Sequence, residues 1–191
     1  MHDHASKIRA LVTVSLFAVL AVVVSKLKVP IPIFHLRFEG SLAISLLVAI
    51  SFGVKYGWYV EVTKYILNLA ASHTFGVGET VDLLIGILAI WNFGFLHRRF
   101  WLFDVKSFRL IFVFLQTFCM LLGGFAVNLI ALPVYFWLFN FKLTANLLLS
   151  GALIGGIFST VKVGLCCILA TFLQKSLPES LTKSLSRKNN S

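Results

Sequence analysis

Residues Tyr59 to Gly86, YVEVTKYILNLAASHTFGVGETVDLLIG, set acidic and basic side chains inside two otherwise apolar stretches. Glu61, Lys64 and Asn68 stand at i, i+3 and i+7, which is one face of a helix, and a Glu and a Lys three apart partly neutralise each other there. After the turn Ser72 to Gly78, Glu79 and Asp82 are again three apart and open a second helix, where the helix dipole favours carboxylates. A charge at bilayer depth costs about 2.5 to 3.5 kcal/mol, so such residues face a bundle interior or a water-filled cavity. Glu61 and Lys64 are open to two readings, an ion pair that ties their helix to its neighbours or a direct ligand contact.

The rest of the chain has the same character. With 59% apolar residues, 19 Phe and a mean hydropathy of +0.93, 191 residues carry more apolar surface than a soluble domain of this size buries. The expected fold is all-α, one integral membrane domain over residues 1–191 with about six transmembrane helices and a solvated tail over about 178–191. The expected helices run over about 8–25, 41–52, 56–71, 79–96, 108–139 and 144–173. Pro30 and Pro32 interrupt the loop between the first two, and the second is short enough to be tilted or only partly spanning. The segment before residue 8, with His2, Asp3 and His4, is expected as an exposed tail rather than a metal site.

Charge fixes the orientation. An even number of crossings puts Lys7, Arg9, Lys55, Arg98, Arg99, Lys106, Arg109, Lys175, Lys183, Arg187 and Lys188 on the side of both termini. The other side has only Lys26, Lys28, Arg37 and Lys142. Both termini are therefore expected in the cytoplasm. The loop 26–40, the Gly76 turn and the turn from Asn140 to Lys142 are expected outside, where they form a mouth. The net charge of +10 is accounted for by these loops, and nucleic acid is not an expected partner.

Two further helices carry polar residues. Lys162 has long apolar runs on both sides, so its ammonium does not easily reach the interface, and Ser159 lies one turn before it on a face begun by Gly151, Gly155 and Gly156. Asn128 precedes Pro133 by five residues, and that proline frees the carbonyl of Leu129. Asn128 reads equally as a ligand contact or as helix-packing glue. Cys119, Cys166 and Cys167 lack redox or zinc spacing, and no nucleophile elbow, Walker A loop or His-Glu-x-x-His is present. Trp58, Trp91, Trp101 and Trp137 sit near expected helix ends, as interfacial aromatics do.

Taken in order, VPIPIFHLRFEG (29–40), the stretch from Tyr59 to Gly86, NLIALPVY (128–135) and FSTVKVG (158–164) resemble the substrate-binding S component of energy-coupling factor vitamin transporters, and most of all its riboflavin-binding members. The resemblance runs from about Arg9 to Leu173. It implies an importer subunit of the cytoplasmic membrane that is not an enzyme, has no resident cofactor, and works with a membrane-embedded T subunit and two ATPase subunits. It also implies that Phe34, Leu36 and Phe38 cover the ring system of riboflavin or a related flavin, while Glu79, Asp82, Asn128, Ser159 and Lys162 fix its polar edge. Val14 and Ala18 take the places of two alanines that form the face against the T subunit.

Two departures bear on the ligand. Asp82 and Ser159 stand where asparagine is usual, which changes the donors offered to a heterocycle. An S component for another vitamin or heterocyclic precursor therefore stays open. So does a small membrane-embedded enzyme using Glu79 and Asp82 as acid and base or as metal ligands.

Overall fold

The protein was analysed as a computed structural model, which describes residues 2–27, 29–30, 37–70, 76–100, 106–140, 142 and 144–176. Among the described residues six helices carry the fold: α1 (His2–Ser25), α2 (Ser41–Phe52), α3 (Val54–Leu69), α4 (Val77–Phe100), α5 (Lys106–Leu138) and α6 (Ala145–Ser176). Between α1 and α2 lies a two-residue antiparallel ladder of β1 (Val29–Pro30) and β2 (Arg37–Phe38), in which Val29 faces Phe38 and Pro30 faces Arg37. Pro30 can sit there because the ladder is all edge and needs no donor from it.

Windows within α4, α5 and α6 are long and apolar enough to cross a membrane, at Val77–Gly94, Val113–Leu138 and Ala145–Ser176, with shorter apolar runs at Leu11–Ser25 and Ser41–Phe52. The side chains they turn outward are apolar. Leu16, Phe114, Ile130, Trp137 and Ile168 are each more than two-thirds exposed. A surface of that kind is a lipid-facing surface, since in water it would drive association.

The first turn of α1 extends further than the sequence suggests. His2, Asp3 and His4, expected as a tail, already belong to the helix, and nothing between them and Ile8 breaks it, because Ala5 and Lys7 are good helix formers. On the inner face of α1, Val14 and Ala18 are only 7% and 5% exposed and pack with Ala21, Ile44, Val48, Phe52 and Val60. Within the single chain they are core residues against α2 and α3. The outward groove of α1 is lined instead by Ile8, Leu11, Val12, Ser15, Leu16 and Val19. The spacing of the outward set differs from the inward set by a single residue, which sequence alone resolves poorly.

Only Gly53 separates α2 from α3, with φ of 116°, a conformation glycine reaches without strain. Its N–H caps α2 by donating to Ala49 O at 3.0 Å, while its carbonyl starts α3 by accepting from Tyr56 N at 3.0 Å. The two helices fold back on each other from this point. Gly57 meets Ala49, and a turn further on Ser45 meets Glu61. At the other end of the chain, α5 and α6 touch backbone to backbone, since a Cβ on Gly156 would lie 3.0 Å from Phe125 N and one on Gly124 3.2 Å from Gly156 Cα. Pro133 is accommodated inside α5, which continues to Leu138. Asn140 then ends the turn with φ of 53°.

The close approach at Gly57 is testable. A Cβ there would stand 2.7 Å from Ala49 Cβ and 2.9 Å from Ser45 O. Gly57→Ala should force α2 and α3 apart and lower stability by about 1–3 kcal/mol, read as a fall in the unfolding midpoint of detergent-solubilised protein.

Candidate functional site

Polar residues gather where the last turns of α1 and α3 meet the first turns of α2 and α4. On α3, Glu61 is fully buried and Lys64 is 4% exposed. The Lys64 ammonium pairs with Glu61 Oε1 one turn back on the same helix, while Glu61 Oε2 accepts from Ser45 Oγ of α2 at 2.6 Å. That carboxylate lies directly on the backbone of α4, because a Cβ on Gly86 would fall 2.5 Å from Glu61 Oε1. Only a glycine leaves room for it.

Lys64 has a second carboxylate in reach. Glu39, just after β2, is 3% exposed and lies 3.5 Å from Lys64 Nζ, and Ser41 Oγ accepts from Lys64 at 3.2 Å and donates to Glu39 Oε1 at 2.9 Å. One turn further along α3, Asn68 Nδ2 donates to Ser25 Oγ at the end of α1 at 2.9 Å. Buried charges and amides of this kind hold their place only when paired, and these residues link α1, α2, α3 and the end of β2.

The second ion pair joins α4 to α6. Lys162 Nζ donates to Asp82 Oδ1 at 2.8 Å; the Lys162 side chain is 6% exposed and that of Asp82 38%. Asp82 is thus the half of the pair that faces open space. A narrow cleft there is lined by Glu39, Lys64, Tyr65, Asn68, Glu79, Asp82 and Leu83. Its free space holds about one water molecule. The Tyr65 hydroxyl meets Thr80 Oγ1 at 3.3 Å beside it, and Thr80 donates to Gly76 O at 2.8 Å.

The structure sorts the residues singled out from sequence. Glu79, Asp82 and Lys64 line the cleft, and Lys162 stands behind Asp82. Asn128 and Ser159 lie on the α5–α6 contact. Asn128 Nδ2 donates to Gly124 O at 2.7 Å and its amide fills the space left by Gly155, while Ser159 Oγ donates to Gly155 O at 2.7 Å. Phe38 ends β2 and is half-buried, whereas Phe34, Leu36, His35, His73, Trp101 and the tail 178–191 lie outside the described residues. Glu39, Ser41, Ser45 and Ser25 were not singled out from sequence. The available signal was Glu39 itself, a carboxylate set immediately before Gly40 and an apolar helix. Among the described residues, no three His, Cys, Asp or Glu side chains converge as a metal site.

No protein-family model and no curated protein matches the sequence. A solved structure does match in fold: one reported under the description "Structure and mechanism of the S component of a bacterial ECF transporter", with a TM-score of 0.71, 21% sequence identity, and coverage of 92% of this chain and 98% of that chain. The chain has the S-component fold. The likeness extends over nearly the full length of both proteins.

The Glu61–Lys64 pair gives a prediction. Lys64→Met leaves Glu61 buried without its counter-ion and should cost about 3–5 kcal/mol in unfolding experiments in detergent. Adding Glu61→Gln to it should restore much of that loss, giving a coupling well above the scatter of independent sites.

Proposed function

We propose that this protein is the substrate-binding S component of an energy-coupling factor importer in the cytoplasmic membrane, with both termini in the cytoplasm and riboflavin or a related flavin as cargo. The observation that carries the reading is the S-component fold together with a paired, buried polar cluster that opens on a cleft at one end of an otherwise apolar bundle. A pocket for a vitamin needs mostly apolar walls and a few placed polar groups. Asp82, Glu79 and Lys64 are the placed polar groups here; of the described lining only Leu83 and the Tyr65 ring are apolar, and the remaining apolar wall falls to Phe34, Leu36 and Phe38 in this reading.

In this reading the ligand enters from outside between the loop 26–40, the turn at Gly76 and the ends of α4 to α6. The cleft is narrower than a tricyclic ring, so its walls part on binding, and the ring lies against Phe34, Leu36 and Phe38. Asp82 and Lys162 meet its polar edge as a pair, the carboxylate accepting and the ammonium donating. Asn128 and Ser159 contribute by swinging from their bonds to the α5 and α6 backbone. The protein performs no chemistry on the vitamin. Energy comes from two ATPase subunits acting through a T subunit, in keeping with a sequence that holds no P-loop motif.

A second reading, the same kind of subunit for a different heterocycle, is favoured by Asp82, which accepts where an asparagine would also donate. Titration separates the two. Purified protein should quench riboflavin fluorescence at stoichiometric ratios, and Lys162→Ala should weaken binding at least tenfold, as loss of a charge-assisted bond does. Unchanged affinity in Lys162→Ala and in Asn128→Ala removes both residues from the site. Mass spectrometry of the ligand extracted with the intact protein, and copurification of ATPase subunits, test the cargo and the partners.

A further inference from the structure

Lys64 is held by two elements at once. Glu61 answers it from its own helix, and Glu39 answers it from the end of β2, with Ser41 bridging the second contact. Neutralising Lys64 needs only one carboxylate, and Glu61, itself steadied by Ser45, already supplies it. A second carboxylate at 3% exposure adds desolvation cost, so what it contributes is geometry. The lysine side chain has a flexible four-carbon stem, and an acceptor from a separate element selects one of its many rotamers.

The ladder next to Glu39 needs such support. Two residues per strand make a hairpin that is marginal by itself, so its position has to be fixed at its ends. Glu39 follows Phe38 directly, lines the cleft, and is the described residue through which that end reaches α3. We propose that Glu39 is a positioning residue for the cleft: acting through Lys64, it fixes the ammonium in the cleft wall and ties β2 to α3, so that the ladder and the cleft become ordered together. By reciprocity, whatever the cleft binds then also steadies β2. Only this last consequence rests on the flavin reading; the coupling of β2 to α3 stands without it.

Hydrogen exchange on the full-length protein in detergent, combined with stopped-flow riboflavin binding, tests the proposal. In Glu39→Gln, amide exchange at residues 37–40 should rise about tenfold, the factor expected for a charge-assisted bond, while exchange in α5 and α6 stays as in the parent protein. Ser41→Ala, which removes the bridge and keeps both charges, should raise exchange at the same place to a smaller degree. Lys64→Met combined with Glu39→Gln should raise it no further than Lys64→Met does. Riboflavin should leave Glu39→Gln about tenfold faster, with association little changed. Unaltered exchange at residues 37–40 in both Glu39→Gln and Ser41→Ala overturns the proposal. So does additivity in the double variant, or a rise spread through α5 and α6, which would make Glu39 a general support of the fold. If the parent protein fails to bind riboflavin, the flavin reading falls and the exchange results alone decide the role of Glu39.

Discussion

An ammonium group sealed inside an apolar bundle has to be answered by carboxylates, and the fold is arranged around meeting that requirement twice. Lys64 draws α3 toward β2 and the start of α2 through Glu39 and Ser41, while Glu61 holds Ser45 of α2 and presses on α4 at Gly86. Lys162 draws α6 toward α4 through Asp82. Removing Lys64 leaves buried negative charge, and the penalty for that exceeds the worth of most packing contacts, whereas removing Lys162 leaves Asp82 partly open to solvent.

These interactions occupy one end of the molecule. From there the bundle fills with Leu46, Leu47, Ala49, Ala89, Ile90, Phe93 and Met120, while its exterior is apolar throughout the long helices. Where lipid replaces water, burying apolar side chains no longer drives helices together. Close approach does so instead, and the glycines at positions 57, 124 and 156 mark where backbones come near each other. Charge pairing around the cleft and small-residue packing elsewhere divide the work of holding the described helices in register.

Much of this was legible in the residues. Except at the start of α1, the helices fell within a few positions of their expected bounds because long apolar runs leave little choice, and α2 at Ser41–Phe52 matches its expected range. The facing of Glu61, Lys64 and Asn68 followed from helical spacing alone. Tertiary partners were harder. Glu39 lies 25 residues from Lys64, and no periodicity connects a loop residue with a helix it meets only after folding. Asn128 and Ser159 were singled out for their polarity, yet both hydroxyl and amide also satisfy the backbone one turn earlier, an option open to any short polar side chain in a helix.

The one-residue elbow at Gly53 has a mechanical meaning. With no slack between Phe52 and Val54, and with Gly57 seated on Ala49, α2 and α3 cannot slide or pivot independently. They form one stiff unit that carries Ser45 and Glu61 a turn beyond the Gly57 contact and Ser41 and Lys64 further from the elbow. A displacement imposed at the elbow therefore moves those charged groups with it.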